Sequence, residues 1–120
     1  PSAVAEKNGL SWFQEASSVA EGKLDNIGTQ SVKTISLDNF IEKRKIKPDL
    51  LKIDVEGAEL KVLKGVENYL FEHKPLIVIE THGELIKDQC FNFLNKLGYT
   101  NFIPIDANSI EKASDFVIKP

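Results

Sequence analysis

Two strand-length apolar runs, each ending in an acidic residue and each followed by a segment of helical period, constrain this chain more than any other feature. The first is Leu50-Leu51-Lys52-Ile53-Asp54-Val55; Glu56-Gly57 then turns into a helix with Leu60, Leu63, Val66 and Leu70 on one side. Gly65 is expected to kink or divide that helix. The second run, opened by Pro75, is Leu76 to Glu80. A helix from about Glu84 to Leu97 follows it, with Ile86, Cys90, Phe93, Leu94 and Leu97 at helical spacing and Gly98 as a stop. Apolar runs of this kind suit strands buried between two helical layers. Strands that alternate with helices imply right-handed crossovers and an α/β fold with a mainly parallel sheet. In such sheets ligands bind at the carboxyl ends of the strands.

The rest of the chain fits that frame. Ala3-Val4-Ala5 and Leu10 to Phe13 flank Glu6-Lys7-Asn8-Gly9, which predicts a leading hairpin with Asn8-Gly9 at its turn. Trp12 and Phe13 read as core residues. Glu15 to Gln30 has no clean period and is expected to be a long loop. Ser31 to Ile35 alternates like a half-buried strand. Ser36 can cap a helix from Leu37 to about Lys45, with Leu37, Phe40 and Ile41 as its apolar face. Tyr99 to Ile105 and Phe116 to Ile118 read as a closing pair of strands.

With 120 residues the chain fits one small domain. A net charge of -3, with both signs scattered and no basic stripe, argues against nucleic acid and against a polybasic membrane patch. No apolar run approaches the roughly 18 residues of a membrane helix. Cys90 is the single cysteine and cannot staple the fold, so a reducing, cytoplasmic setting is expected. The first residues, PSAVAEKNGL, carry no signal-peptide pattern and begin without methionine, as if the chain were part of something longer.

Chemistry is sought where the two strands end. With the strands as neighbours in register, a spacing of about 4.8 Å brings Asp54 and Glu80 within interaction range, and His82 follows in Glu80-Thr81-His82-Gly83. Two carboxylates and an imidazole on one rim could hold a divalent cation. They could equally orient a hydroxyl and take its proton, so no metal ligand set is assigned. Asp54, Glu80 and His82 are the catalytic candidates. Glu56 and Glu59 have a plainer reading, as acids that cap or solvate the following helix. Lys52, in the middle of an apolar strand, must pair with a carboxylate or push its ammonium to an edge. Lys52 and Glu56 are the candidates for substrate contact, and Cys90 reads as core.

The run Pro48-Asp49-Leu50-Leu51-Lys52-Ile53-Asp54-Val55-Glu56-Gly57-Ala58-Glu59, with Ser36-Leu37-Asp38-Asn39-Phe40 before it and Val62-Leu63-Lys64-Gly65 and Pro75 to Glu80 after it, resembles the FkbM methyltransferase family. Ala3 to Gly9 is similar to that family's valine-rich strand and acidic turn. The resemblance covers roughly Ala3 to His82. It implies a Rossmann-like class I methyltransferase fold, a seven-stranded sheet whose last two strands form a hairpin with one antiparallel strand. It also implies methyl transfer from S-adenosyl-L-methionine, commonly to a hydroxyl of a sugar or other small metabolite. By the resemblance Asp54 follows the fourth strand, at the methyl-transfer cleft, and Glu80 the fifth. Asp54 is then the first choice to orient or deprotonate the hydroxyl, His82 the second, with Glu80 assisting.

The family's Asp-x-Gly-x-x-x-Gly turn, which lets the backbone approach the cofactor, and its acid after the second strand are absent from residues 1–120. The chain is therefore expected to be the truncated C-terminal part of one methyltransferase domain, with the cofactor-binding residues elsewhere. Two other readings stay open. A receiver-like domain phosphorylated on Asp54 would need a pair of acids after its first strand, where only Glu6 stands. A non-catalytic module would associate through an open sheet edge.

Overall fold

The computed structural model describes residues 2–15, 22–25 and 30–120. Its elements are β1 (Ser2–Val4), β2 (Gly9–Glu15), β3 (Gly22–Asp25), β4 (Gln30–Ile35), α1 (Leu37–Arg44), β5 (Leu50–Ile53), α2 (Glu59–Lys64), α3 (Glu67–His73), β6 (Leu76–Glu80), α4 (Glu84–Lys96), β7 (Asn101–Pro104) and β8 (Asp115–Lys119). They form two four-stranded sheets, ordered β1-β4-β2-β3 and β5-β6-β8-β7.

Both sheets are mixed. The pairs β1–β4 and β5–β6 are parallel, whereas β2–β3, β2–β4, β6–β8 and β7–β8 are antiparallel, so two of six pairings run parallel. The mainly parallel sheet expected from the strand–helix alternation is thereby corrected. Crossover helices enforce parallel pairing at β5–β6, but the closing strands and the leading segment have no such constraint.

The leading hairpin is corrected too. β1 and β2 do not pair with each other; β4 lies between them, parallel to β1 and antiparallel to β2. The Asn8-Gly9 turn is instead tied to the end of β4. The Ser36 N–H donates to Asn8 Oδ1 at 2.8 Å, and Thr34 Oγ1 donates to the Lys7 carbonyl at 3.0 Å. A turn signal fixes a reversal of the chain, not whether a third strand enters the gap. The predicted 15–30 loop contains β3, which pairs with β2 in the register Trp12↔Asp25. The remainder of that stretch, 16–21 and 26–29, lies outside the described residues, as does the side chain of Phe13. Trp12 is 48% exposed, not core.

Ser36 caps α1 as its sequence suggests, its side chain accepting from the Asn39 N–H, and Lys45 closes the helix in the left-handed region. Within α1, Asp38 serves a second helix. Its carboxylate accepts from the Asn68 and Tyr69 N–H groups at 3.1 and 3.0 Å, satisfying the first turn of α3, which has no side-chain cap of its own. Gly65 divides α2 from α3. A Cβ there would stand 2.4 Å from the Ala5 carbonyl oxygen, and the Gly65 carbonyl accepts from Asp38 N–H at 2.8 Å. This glycine is where the β1 turn, α1 and the α2–α3 joint meet.

The β5–β8 sheet buries one face. Ile53, Ile77, Ile79, Phe116 and Ile118 form a core with Val62, Leu63, Val66, Leu70, Cys90 and Leu94 from α2 to α4. The other face is open. Leu50 is 51% and Ile103 42% exposed on it, and Lys52 and Asp54 share that face. The expectation that β5 is buried on both faces is therefore corrected: among the described residues it is an edge strand covered on one side.

Gly65→Ala should lower stability by about 1–3 kcal/mol, because the methyl group must displace backbone rather than a flexible side chain. Denaturant unfolding measures this; an unchanged midpoint would mean that the Ala5 turn is not seated on Gly65.

Candidate active site

The parallel register of β5 and β6 builds the site. Ile53 pairs with Ile79, so Asp54 and Glu80 are the next residues on neighbouring strands and leave the sheet on its open face. Asp54, Glu80 and His82 each offer a donor atom, and these atoms lie within 4.8 Å of one another. Lys52, two residues before Asp54, sits beside it with Nζ 3.6 Å from Asp54 Oδ2. Both side chains are solvent-exposed, so this pair adds little stability. Glu56 is exposed in the turn that follows.

His82 is held from behind. Its Nδ1 lies 2.5 Å from Glu59 Oε1, and its Nε2 lies 3.5 Å from Glu80 Oε1. Glu59 belongs to the first turn of α2 and is fully buried. Its Oε1 also accepts from the Gly57 N–H at 3.2 Å, whereas its Oε2 is buried with no hydrogen-bond partner among the described residues. Gly57 makes this turn possible with a φ of 79°, a conformation that side chains resist. Sequence reasoning assigns Glu59 to capping or solvation and misses its contact with His82. The signal lies in Leu60 and Leu63, which place the first turn of α2 against the apolar layer and leave an acid at that turn nowhere to reach solvent.

The loop that carries His82 is fixed by a chain of polar contacts. Thr81, itself buried, donates through both its N–H and its Oγ1 to the Ser114 carbonyl, at 2.8 and 3.0 Å. Asp106 accepts from the Ser114 N–H and hydroxyl and from the Asp115 N–H, and these bonds hold its carboxyl down at about 2. Lys87, buried in α4, donates to the carbonyls of Ile110, Glu111 and Ala113 at 3.1, 3.1 and 3.3 Å.

The surrounding carboxylates raise the His82 pKa. The hydrogen bond to Glu59 is the largest cause, the charges of Glu59, Glu80 and Glu56 add to it, and burial opposes it. Burial pushes the Cys90 thiol up to about 12, with the Glu59 charge adding, so Cys90 is a packed side chain and not a nucleophile. A concavity of about 410 Å³ lies elsewhere, lined by Val4, Ile35, Leu37 and Phe40 among others and by none of the rim residues.

The arrangement can bind an electron-poor centre, orient a hydroxyl and accept its proton. Comparison with known proteins says which chemistry this scaffold belongs to. The family model of the methyltransferase FkbM domain matches residues 1–102. The chain belongs to the FkbM methyltransferase family.

Among curated relatives, the hexuronic acid methyltransferase AglP of Haloferax volcanii is 31% identical over 109 residues, covering 88% of this chain and 44% of AglP. The methyltransferase sdnD of Sordaria araneosa is 61% identical over 33 residues, covering 28% of this chain and 13% of sdnD. The chain thus spans less than half the length of either. The crystal structure of methyltransferase FkbM from Methylobacillus flagellatus superposes with a TM-score of 0.67 at 17% identity, covering 99% of this chain and 27% of that one. That likeness shows a methyltransferase α/β fold.

With EDTA present, Glu59→Gln should lower the His82 pKa, because the amide keeps the bond but loses the charge. The folded value stands above the ordinary one near 6.5, so the pair's stabilisation is complete below that pH and fades as pH rises through the folded value. NMR titration of the imidazole checks this; an unmoved titration in the variant would uncouple the two residues.

Proposed function

We propose that this chain is the acceptor-side, C-terminal part of an S-adenosylmethionine-dependent methyltransferase domain that methylates a hydroxyl of a sugar or sugar-acid. The single observation that carries the reading is the convergence of Asp54, Glu80 and His82 on the rim where two parallel strands end. Family membership supplies the reaction class, and the hexuronic acid named for the Haloferax relative supports the acceptor class.

Bound S-adenosylmethionine supplies a methyl carbon on a positive sulfur that leaves as a neutral thioether. The rim's carboxylates fit that charge in sign. Residues 1–120 contain no Asp-x-Gly-x-x-x-Gly turn, so the reading assigns the adenosine cradle to sequence outside them. The strand order β5-β6-β8-β7, a parallel pair leading into an antiparallel closing hairpin, supports its being the C-terminal half of a larger class I sheet. So do the edge position of β5 and the open apolar face behind Leu50 and Ile103.

On this reading the acceptor hydroxyl donates to Asp54, which would hold and take its proton while a bound cofactor supplied the methyl group. Glu80 and His82 orient the acceptor's neighbouring polar groups, and exposed Lys52 and Glu56 contact it at the margin. In the full-length protein, Asp54→Asn should cut kcat well over tenfold with the fold intact by circular dichroism. A near-normal rate would remove Asp54 from the reaction.

The second reading, an association module, rests on the same β5 edge, whose outer ladder is unpaired among the described residues. Size-exclusion chromatography at micromolar concentration separates the two: a clean monomer removes edge pairing.

A further inference from the structure

We infer that the rim is a divalent-cation site, with Asp54, Glu80 and His82 as ligands and Glu59 as the residue that orients His82. This deepens the methyl-transfer reading and rests on it for the role of the ion, but the site itself stands on geometry.

Three observations carry it. First, an ion ligated at about 2.1 Å separates its donor atoms by about 3 Å when adjacent and about 4 Å when opposite. The three donors lie within 4.8 Å of one another, and His82 Nε2 is already 3.5 Å from Glu80 Oε1, so small side-chain rotations close the set. Second, Glu59 occupies the place of an outer-shell carboxylate. By accepting from Nδ1 it leaves the Nε2 lone pair as the free donor, the arrangement in which a carboxylate orients a metal-bound imidazole. Glu59 is fully buried and its Oε2 has no partner among the described residues, a cost that a purely structural acid would avoid. Third, acids outnumber cations at the rim among the described residues. Glu59 and Glu80 meet the imidazole, Asp54 lies within 4.8 Å, Glu56 adds its field, and exposed Lys52 pairs with Asp54.

The chemistry of the proposed acceptor points the same way. A sugar-acid brings a carboxylate of its own, which bare carboxylates repel. A divalent ion with two protein oxygens and one nitrogen keeps open positions, binds that carboxylate or the reacting hydroxyl, and lowers the hydroxyl pKa. Asp54 has two oxygens, so one can ligate while the other accepts the proton.

The test is Mn2+ titration of the full-length protein, without cofactor or acceptor, followed by electron paramagnetic resonance. The expected result is one Mn2+ per chain with a resolved coupling to imidazole nitrogen. His82→Asn should abolish that coupling, Glu80→Gln should weaken binding at least tenfold, and Glu59→Gln should weaken it about 10- to 100-fold. Glu72→Gln, an exposed acid on α3, should leave binding unchanged. No stoichiometric Mn2+, or binding that Glu80→Gln and His82→Asn leave intact, overturns the inference; should His82→Asn not fold, the Glu80→Gln titration decides. Full methyl transfer in EDTA without Mn2+ binding would sink the cation and keep the methyltransferase. Site-specific binding without any methyl transfer to sugars would do the reverse.

Discussion

Glu59 is a carboxylate sealed in an apolar layer, and the rest of the site is arranged around that fact. A buried acid is tolerated only where donors meet it, and here one oxygen receives both the Gly57 N–H and the His82 imidazole. Those contacts tie the first turn of α2 to the loop after β6, two segments far apart in sequence. They also turn His82 so that its second nitrogen faces the open side of the sheet. The register Ile53↔Ile79 then delivers Asp54 and Glu80 to the same place.

Rigidity at the rim comes from residues that never reach it. Lys87 gathers three loop carbonyls, Asp106 gathers Ser114 and Asp115, and Ser114 fixes Thr81, the neighbour of His82. The links are side-chain and main-chain hydrogen bonds, so the loop is positioned by several polar contacts as well as by packing. Gly65 does the corresponding work on the far side of α2, where the Ala5 turn leaves no room for a methyl group.

Much of this is legible in the sequence wherever local period and tertiary burial agree. Leu76–Glu80, the Ser36-capped helix and the division at Gly65 follow from period, cap and glycine chemistry. The pairing of Asp54 with Glu80 follows from two acids at equivalent strand ends. What sequence reasoning misses depends on partners distant in the chain. The Asn8-Gly9 turn is real, yet β4 enters between the strands it joins. Gly22–Asp25 has no apolar alternation and takes its register from β2. Leu50 and Leu51 look alike in sequence, but only the face of Ile53 has helices against it. Glu59 reads as a surface acid because an acid in a first turn usually is one; its burial is set by the sheet and α4 packed around it.

The chain belongs to the FkbM methyltransferase family, and its rim sets an oriented histidine beside two carboxylates, which supports the proposed acceptor-side reading. The direct test of that orientation is the ring-nitrogen NMR spectrum of His82 in metal-free protein, recorded above its raised pKa. The account predicts the neutral tautomer with its proton on Nδ1, exchanging slowly because it is held by Glu59, and with Nε2 unprotonated. A proton on Nε2, or rapid averaging of the two tautomers, would contradict it.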